Sequence, residues 1–201
     1  MNAVGPADAL QPRTARPHGS SWKWLLATPI GLMEAHLTDL GLAGLRFVDS
    51  LSTVEEGRTG PVGPVNEVSD PDSAVWSAEI LAIAERLATE LEEYFAGRRT
   101  GFGVPIDPAG TAFQHRVWSG LMQIPFGQTR GYAHVAGSIG RPTAVRAVAR
   151  SNALNPIALL IPCHRVIGSD GSLTGYAGGL DRKRWLIEFE RSVLGEIGLF
   201  A

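Results

Sequence analysis

The sequence predicts a two-domain α/β protein: a small antiparallel sheet with one helix, then a mostly helical half holding a helix-turn-helix and a loop that carries the chain's only cysteine. Three observations lead there. Strand-like segments fill residues 22–48, helical spacing of apolar residues takes over in the seventies, and Gly or Pro marks most of the changes between elements. The expected organisation is a disordered tail over residues 1–20, a first domain over 21–103 and a second over 104–201.

The elements follow in order. Residues 1–20 hold Pro6, Pro12 and Pro17 with scattered charges and lack the apolar stretch of a secretory signal. Residues 22–27, 31–37 and 42–48 read as three strands, separated by Thr28-Pro29 and by Asp39-Leu40-Gly41. Residues 50–72 are rich in Gly, Pro and acid, without periodicity, and read as a long loop. Ile80, Ile83, Ala84, Leu87, Leu91 and Phe95 then recur at helical spacing, with Ser73 to cap the helix and Gly97 to end it. Residues 102–106 suggest a short strand at the domain boundary.

The second half turns helical. Thr111 opens a segment with Phe113, Val117, Trp118 and Leu121 on one face, closed by Ile124-Pro125-Phe126-Gly127. Thr129 is expected to cap a short helix through Tyr132, Val135 and Ala136 that stops at Gly140, and Pro142 to begin a third helix reaching Asn152. Two helices around a Gly-containing turn outline a helix-turn-helix, an outline shared by many helix pairs that never touch DNA. On the third helix Val145, Val148 and Ala149 can face the core, leaving Arg146 and Arg150 on the outer side among the small residues Ala144, Ala147 and Ser151. Such a helix can approach a groove closely. Read from the residues alone, two snorkelling arginines on a solvated face explain it equally well.

Charge divides the halves. Residues 1–101 carry 8 Lys and Arg against 14 Asp and Glu, a net −6, whereas residues 102–201 carry 10 against 6, a net +4. A basic second half suits a polyanionic partner. One cysteine excludes an internal disulfide and any metal site needing two thiolates. It fits a reducing compartment, the cytoplasm, and no run approaches the eighteen or so apolar residues that cross a bilayer.

Residues 157–161 form a wholly apolar run that reads as a buried strand ending in Pro162-Cys163-His164-Arg165-Val166. A lone cysteine is most often an inert core residue. Here His164 can act as a base and Arg165 can lend positive potential, both favouring the reactive thiolate. The five residues resemble the hallmark of the 6-O-alkylguanine-DNA alkyltransferase family. The likeness runs in register over residues 102–192, through Ile124-Pro125-Phe126-Gly127, Arg146-Ala147-Val148, Asn155-Pro156, Gly175-Tyr176-Ala177-Gly178-Gly179 and Lys183-Arg184-Trp185-Leu186. Pro29-Ile30-Gly31 and Gly41-Leu42 more loosely resemble that family's ribonuclease-H-like domain.

The resemblance implies that Cys163 accepts the alkyl group, that His164 is its water-linked base and that Glu190 orients the histidine. Independently, Glu190 shares a helix face with Leu186, Ile187 and Leu194, an unusual place for a carboxylate without a buried partner. By the same resemblance Asn155 is a hinge, Tyr132 donates to the guanine ring, and Val166, Tyr176, Ala177, Gly178 and Asn152 enclose the flipped base. Ala177 replaces a serine of some members and keeps only its backbone N–H for the guanine oxygen; Asn152 replaces a larger apolar residue and loosens the wall. Arg146 matches the residue that fills the gap left by the base. Ala144, Ala147, Arg150, Ser151 and Thr129 complete the expected DNA-binding set.

The implied activity is repair of alkylated double-stranded DNA by a monomer that flips out 6-O-alkylguanine, with 4-O-alkylthymine a candidate second substrate, and reacts once without cofactor or metal. Three rival classes fit the sequence less well. A non-catalytic lesion sensor lacks the acceptor cysteine. A thiol hydrolase suits adjacent Cys and His poorly, and a regulator driven by its own alkylation needs further thiols.

Overall fold

The computed structural model describes residues 22–48, 60–65 and 77–195; the expected tail over 1–20 and the proposed cap Ser73 lie outside them. Its described residues form two compact units, dividing after Ala109.

The first unit is a sheet and a helix. Strands β1 (Trp22–Thr28), β2 (Gly31–Thr38), β3 (Gly41–Phe47) and β4 (Gly60–Val65) pair antiparallel in the order β3-β2-β1-β4. The period of two puts Met33, Ala35 and Leu37 of β2 on one buried face, and Glu34 and His36 on the other, half-buried. Helix α1 (Ala78–Phe95) packs on the sheet through Ile80, Ala84, Leu87, Leu91 and Tyr94. Its cap is Ser77, whose hydroxyl accepts from the Ile80 N–H at 3.3 Å. Past the helix end, Gly97 takes the left-handed φ of 71°.

Two expectations change here. Part of the long loop is a strand, β4, hidden because Pro61 and Pro64 break any alternation. Among the described residues both prolines sit on the edge strand of the sheet, the position in a sheet that tolerates a missing N–H donor. The strand expected over 102–106 reduces to one bridge, Leu42 to Ile106. It is held by Leu42 N–H to Pro105 O and Asp107 N–H to Leu42 O, both at 2.8 Å. A Cβ on Gly41 would stand 2.5 Å from Pro105 O, so glycine is required for that approach. Residues 104–109 therefore belong with the first unit and not with the second.

In the second unit, α2 (Ala112–Met122) begins with a capping box between Thr111 and Gln114 and buries Val117, Trp118 and Leu121. Helix α3 (Tyr132–Ser138) follows β5 (Arg130–Gly131), which pairs in parallel with β6 (Val166–Ile167). Helices α4 (Val145–Ala153) and α5 (Leu180–Val193) complete the unit. The cap of α3 is Gly131, not Thr129. Pro142 precedes α4 by three residues, in a turn closed by Ala144 N–H to Arg141 O at 2.9 Å, where its fixed φ suits the second turn position. The run 157–161 is no strand. Ile161 N–H returns to Ile157 O at 3.1 Å, so the segment coils tightly in the core between Pro156 and Pro162. No helix among the described residues is long and apolar enough to cross a membrane.

Candidate active site

Cys163 opens a single 3-10 turn, Cys163–Arg165, just after the coiled apolar segment. Asn155 closes that segment. Its Oδ1 accepts from Ile157 N–H at 3.0 Å, while its Nδ2 donates to Ile161 O at 2.7 Å and to Cys163 Sγ at 3.0 Å. The partners fix which end of the amide is which, so the sulfur faces a donor. Within the coil Leu159, fully buried, holds the left-handed φ of 70°. A bulky residue persists there only where the surrounding packing dictates it.

The next two residues converge on Glu190 of α5, which is 1% exposed. His164 Nε2 lies 2.9 Å from Oε1. Arg165 donates through Nε to Oε2 and through Nη2 to Oε1, each at 2.9 Å, and through Nη1 to Ile124 O at 2.7 Å. Gly127 N–H supplies a further donor to Oε2 at 2.9 Å. The Ile-Pro-Phe-Gly segment thus has a clear physical role. It offers a carbonyl to the arginine, the Phe126 ring beneath the guanidinium, and at Gly127 a spot where a Cβ would meet Leu194 at 2.4 Å.

The electrostatics follow from burial and pairing. Burial alone would raise the Glu190 pKa, but the bonds and charges of His164 and Arg165 outweigh it and hold the carboxylate ionised well below the usual range. Burial pushes the His164 pKa down, against the pull of Glu190, and the imidazole rests neutral. With Nε2–H given to the carboxylate, Nδ1 keeps its lone pair; it is buried and has no hydrogen-bond partner among the described residues. Burial also raises the Cys163 pKa, opposed by the Asn155 donor and the Lys183 charge. The resting sulfur is a thiol. Arg165, expected to lend its charge to the thiolate, is instead engaged by Glu190.

Lys183 is a site residue that sequence reasoning missed. Fully buried, it donates from Nζ to Val166 O and Thr174 O, each at 2.6 Å, and burial brings its pKa down to about 8. A signal existed: positions 183, 186, 187 and 190 share one helix face, so the lysine had to be buried with the glutamate. Val166 is buried and its carbonyl is taken by this lysine. Tyr132, half-buried at the start of α3, has its hydroxyl 3.3 Å from that of Thr174. Tyr176 is half-buried with a buried hydroxyl that burial keeps protonated, Ala177 is exposed, and Gly178 O accepts from Arg182 at 3.0 Å.

The expected groove helix divides. Arg146, Ala147 and Arg150 are exposed and Ala144 is half-buried. Ser151 is buried, contrary to expectation, because Trp118 of α2 covers the last turn and its Nε1 donates to Ser151 O at 3.0 Å. Asn152 is buried beside it, and its carbonyl accepts from Asn155 N–H at 3.3 Å. Thr129 lies before β5, where its hydroxyl meets Arg191 Nη2 at 3.4 Å. Asn155 thus meets Cys163 and Glu190 meets His164, two hydrogen-bonded pairs joined through the Cys163–His164 peptide, and Arg146 and Arg150 of α4 belong to neither.

A thiol next to an imidazole that a buried carboxylate orients defines a cysteine-nucleophile centre. Residues 112–192 match the family model of the 6-O-methylguanine DNA methyltransferase DNA-binding domain. The methylated-DNA–protein-cysteine methyltransferase of Mycobacterium leprae is 47% identical over 137 residues, 68% of this chain and 82% of that protein. Its counterpart from Mycolicibacterium paratuberculosis is 44% identical over 164 residues, covering 82% and 88%. The crystal structure of Mycobacterium tuberculosis OGT in complex with DNA superposes with a TM-score of 0.65 at 40% identity, covering 84% of this chain and 92% of that one. The chain belongs to the methylated-DNA–protein-cysteine methyltransferase family.

Proposed function

We propose that this protein, acting as a monomer on double-stranded DNA, takes the alkyl group of a flipped-out 6-O-alkylguanine onto Cys163, once and irreversibly. The observation that carries the reading is the cluster in which Asn155 meets the sulfur and Glu190 holds His164. His164 Nδ1 takes the thiol's proton through a water, and Glu190, itself fixed by Arg165 and Gly127, stabilises the imidazolium as it forms. Asn155 Nδ2 and the Lys183 charge steady the thiolate. The sulfur attacks the alkyl carbon, the carbon–oxygen bond breaks with its electron pair moving to the guanine, and Tyr132 and the Ala177 N–H receive the charge. The thioether has no carbonyl for water to attack, so the reaction ends there.

In this reading α3, the turn through Gly140 and α4 form the helix-turn-helix of the DNA-binding and transferase domain, with α4 in the groove. An alkylated base inside the stack is out of reach, so Arg146 fills the gap it leaves. Val166, Tyr176, Ala177, Gly178 and Asn152 line the pocket, and Asn155 is the hinge between α4 and the cysteine segment. The first unit is the ribonuclease-H-like domain.

Intact-protein and peptide mass after incubation with duplex DNA holding 6-O-methylguanine tests the reading. One methyl group should appear on the peptide containing Cys163, product should plateau near one equivalent with or without chelator, and Cys163→Ser should gain nothing. Sustained turnover, or methyl on another peptide, would sink it.

A further inference from the structure

Thr174 lies in the segment between β6 and α5, and it makes two contacts of different kinds. Its backbone carbonyl accepts from the buried Lys183 ammonium at 2.6 Å, and its side-chain hydroxyl stands 3.3 Å from the hydroxyl of Tyr132. The first contact anchors the residue. Lys183 also bonds Val166 O, so the Thr174 backbone is tied to the strand that follows the cysteine turn. The second contact therefore reaches the Tyr132 hydroxyl from a fixed point. Gly175, at a positive φ of 44°, turns the chain beside this pairing, and a Cβ there would make only ordinary contact, 3.9 Å, with the Tyr132 hydroxyl.

A phenol has one proton to give. If Tyr132 donated it to Thr174, no proton would be left for a departing base. We propose that Thr174 is a positioning residue whose hydroxyl donates to the Tyr132 oxygen, turning the phenolic proton toward the leaving guanine. The inference rests on the role given to Tyr132 above. As the new carbon–sulfur bond forms and the carbon–oxygen bond breaks, the electron pair delocalises from oxygen onto a ring nitrogen. That nitrogen takes the phenolic proton, the Thr174 hydroxyl steadies the phenolate left behind, and solvent returns the proton. At 3.3 Å the contact is long for two hydroxyls, and the proposed role requires it to shorten as the base is bound.

The test uses the full chain in single-turnover rate measurements on two duplexes. One holds 6-O-methylguanine and the other its 8-aza analogue, whose more acidic ring leaves with less help. Thr174→Val keeps shape and the backbone carbonyl but loses the hydroxyl. It should slow transfer from 6-O-methylguanine by roughly threefold to tenfold, the worth of one hydrogen bond. It should react near normally with the 8-aza analogue and melt like the wild type, and Thr174→Ser should restore the rate. Because Thr174 acts through Tyr132, Tyr132→Phe with Thr174→Val should be no slower than Tyr132→Phe alone. An equal loss on both duplexes, or losses that multiply in the double variant, would overturn the inference while leaving Tyr132 in its role. If Tyr132→Phe itself reacts normally with 6-O-methylguanine, the role of Tyr132 fails, and that of Thr174 with it.

Discussion

Two glutamates, one in each unit, are almost completely buried, and their surroundings are built from similar parts. Glu90 of α1 accepts the backbone N–H groups of Gly103 and Val104 at 2.7 and 3.2 Å and the Arg86 guanidinium at 2.8 Å, with Arg99 nearby. Glu190 of α5 accepts the backbone N–H of Gly127 and a two-pronged guanidinium from Arg165. Both carboxylates are held by an arginine and by the peptide groups of a neighbouring loop. Only Glu190 has a histidine, and that histidine is adjacent to the cysteine. A buried carboxylate is therefore no mark of chemistry by itself. Its arginine and amide donors satisfy it, and the imidazole gives it a proton to govern.

The largest effect expected from this contrast is on the rate of alkyl transfer. Glu190→Gln removes the charge that supports the imidazolium and should slow transfer on the order of a hundredfold, with lesion affinity retained. It also leaves the Arg165 charge buried without its partner, at a cost of about 3–5 kcal/mol in stability. Glu90→Gln should lower stability by about 1–3 kcal/mol through its unmet donors and leave the transfer rate near that of the wild type. Rates and denaturation midpoints measured on both variants check this. Should Glu90→Gln slow transfer as much as Glu190→Gln, the contrast dissolves and both are structural.

Acid gives a second, smaller effect. His164 has its pKa depressed by burial from 6.5, so below that pH the unfolded chain binds a proton the folded one refuses, and stability falls. Glu190 has its folded pKa depressed below the ordinary 4.5, so the stability it brings is fully present above that pH and is lost as pH falls below it. Denaturation at a series of pH values should therefore show a decline beginning near 6.5 and steepening under 4.5. In Glu190→Gln the lower phase should be shallower without vanishing, since the Glu34 carboxyl, against its burial, is also held below its ordinary value by His36 and Arg46. A variant curve parallel to the wild type throughout would show that the Glu190 carboxylate is not held ionised.

The same division between satisfied and working groups governs how much the sequence reveals. Helices α1, α2 and α5 are legible because each buries a stripe at the helical period, and β1, β2 and β3 because Pro29, Gly31 and Gly41 mark their turns. Strand β4 is not legible, since Pro61 and Pro64 suppress its pattern and only pairing with β1 makes it a strand. The run 157–161 misleads for the opposite reason. An apolar run states that a segment is buried and leaves its conformation open, and the Asn155 side chain, which meets the carbonyl of Ile161 six positions on, coils it instead. Cys163, His164 and Glu190 stand out as chemistry in unusual places. The burial of Lys183 is legible from its place on the Glu190 face of α5, but its partners are backbone carbonyls, which sequence does not distinguish, and Ser151 is buried by a tryptophan thirty-three positions away.

On the surface of α4 one residue type again has two expected jobs, and here the effects are smallest. Arg146 and Arg150 are both exposed on the same helix, one turn apart. Flipping a base costs a few kcal/mol in paired duplex and less where the base is mismatched or free. A residue that stabilises the flipped state matters most where flipping is hardest. Arg146→Ala should therefore react about tenfold slower with 6-O-methylguanine in a fully paired duplex, a loss within that flipping cost, yet nearly normally with the free alkylated base. Arg150 is proposed to contact a phosphate, its guanidinium supplying the positive charge that the helix C-terminus lacks. Arg150→Ala should weaken binding alike on paired and mismatched sites and lower the slope of log affinity against log salt by about 0.9, the share of one phosphate contact. Single-turnover rates on both substrates and a salt titration distinguish the two. If Arg146→Ala loses the same factor on the free base as on duplex, it holds the pocket or the fold, and the two arginines no longer differ in kind.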